Sequence, residues 1–215
     1  MAIGIIEFLN KQNGVPRSLE QLGMFRSESQ YMCEYLIRAL GSFHCGCSRI
    51  NFWYTDGDLD PKIHEYFRII DMDVPFDFRY CSMSPDEKKE YMFQLLTSSL
   101  RALCERKEWD FAIFKKHLDA LEENHYNVEF YVKNKICRNG KYTAKVFSVH
   151  DLDKAEFFVD FIEKRKVIQR KPLLTCGTSW ADYPRFLGEF KWIDEKTVAL
   201  YAKYGDKVFY ASMDD

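Results

Sequence analysis

The chain changes its hydrophobic rhythm near residue 127. Before that point apolar residues recur mostly at three- and four-residue spacing, the period of an amphipathic helix; after it they mostly alternate with polar ones, the period of a strand. The strongest helical signal runs from Ser84 to Asn124. Ser84 is a good N-cap, Pro85 suits the first helical position, and Glu87 stands where a capping-box carboxylate returns to the cap's own N–H. Met92, Leu95, Leu96, Leu100, Leu103 and Cys104 then form one stripe. After Lys107-Glu108, a second stripe follows on Trp109, Phe114, Leu118 and Leu121, and Asn124 is a left-handed stop. The spacing predicts a helical hairpin over 84–124.

Weaker signals frame it. Ile5, Ile6, Phe8 and Leu9 suggest a short first helix ending at Asn13-Gly14, and Ser27-Glu28-Ser29-Gln30 reads as a second capping box ahead of a helix over 28–41. Ser48 to Tyr54 has strand composition and runs into a turn at 55–58. Asp60-Pro61 repeats the cap-plus-proline signal, and Ile63, Tyr66, Phe67 and Ile70 then predict a helix over 61–71. Val74 to Tyr80 reads as extended or irregular.

Past Asn127, Asn139-Gly140 predicts a two-residue type I′ hairpin that pairs Ile136 with Thr143, Val132 with Phe147 and Phe130 with Val149. Residues 153–165 favour helix over strand on Ala155, Phe158, Phe161 and Ile162. Strands are predicted over 167–174, 187–193, 197–204 and 207–211. The expected class is α+β: N-terminal helices and a central helical hairpin packed on one face of a C-terminal, mainly antiparallel sheet. A single domain is expected over residues 1–215, helical to about 125 and sheet from about 126.

Composition narrows the function classes. A hydrophobic fraction of 47% and an aromatic fraction of 16% exclude disorder over most of the length, and a net charge of −2 gives no global attraction to nucleic acid or an anionic membrane. The first residues lack the basic region and long apolar core of a signal peptide, and no uncharged run reaches the roughly 18–20 residues that a spanning helix needs. Seven cysteines, several of them on apolar stripes, fit reduced thiols better than a disulfide framework. A cytoplasmic protein without a membrane partner is expected.

Four clusters hold candidate chemistry. His44, Cys45 and Cys47 are soft donors, but the Cys-x-Cys spacing has no second paired-ligand motif, so no metal or other cofactor is expected. Asp56, Asp58 and Asp60 have the early spacing of a calcium loop, yet Pro61 and Phe67 fall where that loop needs glycine and glutamate. Together with Glu65, Asp71, Asp73 and Asp77 they form an acidic stretch, opposed by Lys62, Arg68 and Arg79 and flanked by Trp53 and Tyr54. Such a surface suits a basic protein partner.

From 133 to 171 eleven cations face five carboxylates. Lys133 and Lys135 are expected on the same hairpin face as Tyr131, with Arg138, Lys141 and Lys145 nearby, a surface that would contact nucleic acid. Nucleophilic motifs are nearly absent: Gly177-Thr178-Ser179-Trp180-Ala181 misses the last glycine of a nucleophile elbow, and Cys176 with His150 pairs only through an unforeseen fold. The leading expectation is a non-enzymatic protein-binding protein, such as an immunity-type inhibitor that occludes a basic toxin or enzyme. A nucleic-acid-associated protein using the basic sheet is the alternative, and an enzyme without a recognisable motif comes third.

Overall fold

The α+β class is realised with mixed sheets. The computed structural model describes residues 2–10, 19–41, 43–55, 62–178 and 183–214, in two compact units with their boundary between Tyr126 and Asn127. That boundary is where the hydrophobic period changes.

In the first unit a four-stranded sheet has the order β1-β2-β4-β3, from β1 (Ile5–Asn10), β2 (Arg49–Thr55), β3 (Ile63–Tyr66) and β4 (Ile69–Pro75). β1, β2 and β4 run parallel, and β3 is an antiparallel edge. Three helices belong to this unit: α1 (Leu19–Leu40), α2 (Pro85–Lys107) and α3 (Ala112–Glu123). The expected division into a helical part and a later sheet part is thereby corrected, because the helical unit contains a sheet of its own.

Ile5 to Leu9 is strand, not helix. Ile6 and Phe8 are buried on one face with Ile50, Phe52, Tyr54, Ile70, Met72 and Val74, while Glu7 projects from the other. Two apolar pairs around one polar residue satisfy either period, and parallel pairing with β2 decides between them. Phe25 of α1 closes this apolar face, its ring 5.4 Å from Phe8 and 5.6 Å from Tyr54.

The capping-box reading at 27–30 is also corrected. These residues lie inside α1, with Ser29 and Gln30 buried and the Ser29 hydroxyl donating back to the Arg26 carbonyl.

The helix expected over 61–71 is a hairpin, β3–β4, whose turn is Phe67-Arg68. Ile63, Tyr66, Phe67 and Ile70 share helical spacing by coincidence: Ile70 is buried and Phe67 is 95% exposed, so they form no common face.

The hairpin over 84–124 forms as its pattern predicts, except that Trp109 lies before α3 and is half-buried. Ser84 and Glu87 make a reciprocal capping box, and Glu108 ends α2 in the left-handed conformation. The stripes Met92, Leu95, Leu96, Leu100, Leu103 and Cys104, then Phe114, Leu118 and Leu121, are buried. Each such side chain contributes about 2 kcal/mol relative to exposure. Replacing Ser84 with alanine removes an acceptor for a free helix-start N–H and is expected to cost about 1 kcal/mol, read as a lower urea midpoint at an unchanged slope. Asn124 is not the left-handed residue; His125 and Tyr126 are, at φ 51° and 61°.

The second unit has two antiparallel sheets. One has the order β5-β6-β7-β8, from β5 (Val128–Ile136), β6 (Tyr142–His150), β7 (Ala155–Glu163) and β8 (Lys166–Cys176). The other is a meander of β9 (Phe190–Trp192), β10 (Thr197–Tyr201) and β11 (Val208–Ser212), as its turn signals predict. One core joins them, with Val146, Phe157, Val159 and Phe161 against Phe190, Val198, Leu200 and Ala211. At Gly188 a Cβ would lie 2.5 Å from the Tyr201 carbonyl oxygen, so glycine is required where the chain passes β10.

β7 corrects the helix favoured over 153–165. Ala155, Phe157, Val159 and Phe161 face the core in strand alternation, but Phe158 and Ile162 on the opposite face mask that period. In the β5–β6 hairpin Ile136 does pair with Thr143. A bulge at Val132 then moves the rest by one residue: Phe130 meets Ser148 and Tyr131 meets Phe147. The connecting turn is also wider than a type I′ pair, since only Gly140 has positive φ and its N–H donates to the Cys137 carbonyl.

Candidate functional site

A line of polar residues crosses the first unit's sheet on the face opposite its apolar core. The register places Glu7, Asn51, Asp71 and His64 side by side on β1, β2, β4 and β3. Buried Glu7 accepts from Arg26 of α1 at 2.9 Å and from Arg49. Arg49 Nε donates to Asn51 Oδ1 at 2.8 Å, and Asn51 Nδ2 to Asp71 Oδ1 at 2.7 Å. A hydrogen bond to Asp71 raises the Tyr66 phenol above its ordinary pKa, so the network extends to the end of β3.

A buried carboxylate between strands is costly unless paired, and two guanidinium groups supply the pairing here. The chain of bonds thus fixes the base of the β3–β4 hairpin. On the other side of the turn, the Arg68 carbonyl accepts from the Ser48 N–H at 2.9 Å.

At the tip stand Phe67 and Arg68, at φ 45° and 70°. Both central residues of such a two-residue turn need positive φ, a condition that Asn-Gly meets with little strain and a phenylalanine does not. Phe67 is the most exposed of the large apolar side chains among the described residues, and Tyr66 beside it is half exposed. The tip is therefore an aromatic pair held out on a hydrogen-bonded frame. No residue-type signal in the sequence marks it, since Phe-Arg is not a recognised turn pair.

The acidic, aromatic-flanked surface expected here is redistributed. Asp56, Asp58 and Asp60 lie outside the described residues. Tyr54 is a core residue, 4.9 Å from Phe76, and Asp73 is buried, so neither presents a docking group. Trp53 is half-buried, in register with Leu9 and Asp73.

Three further acids are held by neighbours. Glu65 takes Lys107 at 2.6 Å, Asp71 belongs to the polar line, and Asp77 caps the 3₁₀ turn Phe78–Ser82. The Arg79 guanidinium and backbone N–H hold the Asp77 carboxyl below its ordinary pKa.

The basic surface also divides. After the bulge, Lys133 and Lys135 fall in register with Val146 and Ala144, the core-facing row, whereas Tyr131 pairs with Phe147 on the other face. Lys145 joins Tyr131, its ammonium 5.1 Å from the ring centroid. Arg138 and Lys141 are exposed in the β5–β6 turn, and Lys141 lies 3.8 Å from Glu163.

What the sequence does not mark is the group beneath Tyr131. Asp160 has a fully buried side chain, accepts from the Tyr131 hydroxyl at 2.8 Å and takes Arg170 through two bonds of 2.6 and 2.9 Å. Arg170 in turn stacks 4.0 Å from the Phe147 ring. This is an internal ion pair with an aromatic lid, and it leaves Arg170 poorly placed to hold a phosphate.

His44 is exposed, and among the described residues no group of three or more His, Cys, Asp or Glu side chains is arranged to hold a metal ion. His150 and Cys176 occupy one row of the second unit's sheet with Ala155 between them, and the His150 ring packs 5.0 Å from that of Tyr183. No described helix is long and apolar enough to cross a membrane. Comparison with protein-family models, curated proteins and solved structures returned no match.

Proposed function

We propose that this chain is a non-enzymatic protein-binding protein that docks through the tip of the β3–β4 hairpin, with Phe67 as the anchor and Tyr66 beside it. The observation that carries this reading is Phe67 itself, 95% exposed at a left-handed φ. Leaving a phenylalanine in water forgoes roughly 2–3 kcal/mol of burial, and the left-handed backbone costs a side chain of this kind about 1–2 kcal/mol more. Neither feature helps the hairpin, which asparagine at the same position would serve better.

Both features are repaid if the ring enters an apolar pocket on another protein. Large aromatics that fill such pockets dominate binding energy, and a tip already fixed by its base loses little conformational freedom on docking. Asp56, Asp58 and Asp60 precede β3 in the chain and favour a partner with a basic rim. An immunity-type inhibitor that occludes a toxin or enzyme with such a rim is the form of docking we favour.

A photo-crosslinking phenylalanine analogue at position 67, expressed in the native host, tests the reading. One covalent partner is expected from position 67 and none from the same analogue at Tyr210, an exposed aromatic of the second unit. Equal capture from both positions would contradict a specific anchor.

A further inference from the structure

The short link between α1 and β2 contains Cys45-Gly46-Cys47. Both cysteines are free thiols, and their sulfurs lie 3.1 Å apart. That is about 1 Å from the bonded S–S separation of roughly 2.05 Å, a gap that side-chain rotation can close. Gly46 sits at φ 82°, a left-handed conformation that glycine adopts without the cost a side chain would bring, so the backbone can turn between the two thiols. The pair is asymmetric: Cys45 is half-buried, while Cys47 is only 3% exposed. The charge of Lys107, itself paired with Glu65, lowers the Cys47 thiol slightly, but burial outweighs it.

We propose that Cys45-Gly46-Cys47 is a thiol–disulfide exchange site that takes small aliphatic disulfides of the glutathione type and closes into an internal disulfide. Cys45, the accessible thiol, gives its proton to solvent, and its thiolate attacks one sulfur of the incoming disulfide. A bond forms between Cys45 Sγ and that sulfur, the reagent's own S–S bond breaks, and the first small thiolate leaves with the electron pair and takes up a proton.

Cys47 then loses its proton and attacks Cys45 Sγ. The Cys45–Cys47 bond forms, the mixed disulfide breaks, and the second small thiolate leaves and is protonated. The protein dithiol is oxidised by two electrons, and one small disulfide is reduced to two thiols.

Cys47, the buried thiol whose sulfur lies beside that of Cys45, is placed for the second step even though its own ionisation is unfavourable. Burial pushes its thiol up to about 12, and the hydrogen bond and charge of Cys45 add to this. The last two contributions vanish once Cys45 is tied up in the mixed disulfide, so Cys47 becomes easier to ionise at the step that needs it. Cys33, by contrast, is wholly enclosed, and burial pushes its thiol up to about 12.

Trypsin provides a direct readout, because the fragment spanning 39–49 contains Cys45 and Cys47 and no other cysteine. The native chain is incubated with oxidised glutathione, remaining thiols are alkylated, and the digest is weighed. The wild-type fragment is expected to lose two hydrogens and resist alkylation. Cys47→Ser is expected to trap one glutathionyl group on Cys45, and Cys45→Ala to carry neither modification. A wild-type fragment that stays fully alkylatable while other cysteines of the chain are oxidised would overturn the proposal, as would an adduct on Cys47 in place of Cys45. The wild-type measurement stands without either variant, so poor folding of a variant does not obscure the outcome.

Discussion

Replacing Phe25 with alanine is expected to destabilise the first unit by about 4 kcal/mol. The Phe25 ring is fully buried and lies within 4.7 to 6.3 Å of Tyr54, Phe76, Tyr80, Tyr91 and Phe8. These rings come from strands β1 and β2, from α2 and from the segment between β4 and α2, so no single element can move to fill the space. The loss therefore includes a cavity as well as the transfer energy of the ring. Near-UV circular dichroism should fall at a lower urea concentration, with the far-UV signal of the second unit unaffected at that point. Phe67→Ala should leave the midpoint unchanged or raise it slightly. The same residue type thus carries a large stability effect at 25 and none at 67, which separates core from anchor.

Arg170→Ala is the second large effect, at about 3 kcal/mol on the second unit. The variant strands Asp160, whose side chain has no solvent access, with the Tyr131 hydroxyl and the charge of Lys145 as its remaining support. The low end of the range for a broken buried pair applies because the Arg170 side chain is itself 44% exposed.

The pH dependence has a defined sign. Burial alone would push the Asp160 carboxyl up, but the bonds from Arg170 and Tyr131 outweigh it and hold the group below the ordinary carboxylate range. A carboxyl depressed in the native state stabilises above its unfolded pKa of about 3.9, and that stabilisation is lost as pH falls through the native value. The wild type should therefore keep this contribution at pH 5. In the variant burial acts without Arg170, so acid unfolding monitored by tryptophan fluorescence should shift to higher pH.

The helical hairpin was legible in the sequence because its instructions are local. A cap, a proline, a carboxylate and two stripes within 41 residues all favour one structure, and the capping box forms as read. The C-terminal meander was legible for the same reason.

β1, β3 and β7 were not, and each for its own cause. The Ile5–Leu9 run fits both periods until β2 pairs with it. β7 is apolar on both faces, so alternation is hidden. β3–β4 turns on Phe-Arg and β7–β8 on Lys164-Arg165, both left-handed pairs without asparagine or glycine. The bulge at Val132, which separates Lys133 and Lys135 from Tyr131, likewise has no residue-type signature.

The docking tip proposed here lies within residues 56–77, the stretch that acid content singles out, but on other side chains. Among the described residues of that stretch and its flank, Tyr54 and Asp73 are buried, Glu65, Asp71 and Asp77 are held by neighbours, and Phe67 stands exposed. The polar line at the base of the hairpin joins Glu7, Arg49, Asn51 and Asp71 from three strands that only the register unites.

The proposal that Phe67 is kept for docking and not for folding is tested by the affinity of the crosslinked partner for the wild-type chain and for Phe67→Asn, alongside their urea midpoints. Asparagine accepts the left-handed turn and removes the ring. An anchoring role predicts an equal or higher midpoint with binding at least about 30-fold weaker, the loss of roughly 2 kcal/mol typical of an anchor residue. Unchanged affinity in a stably folded Phe67→Asn chain would contradict it.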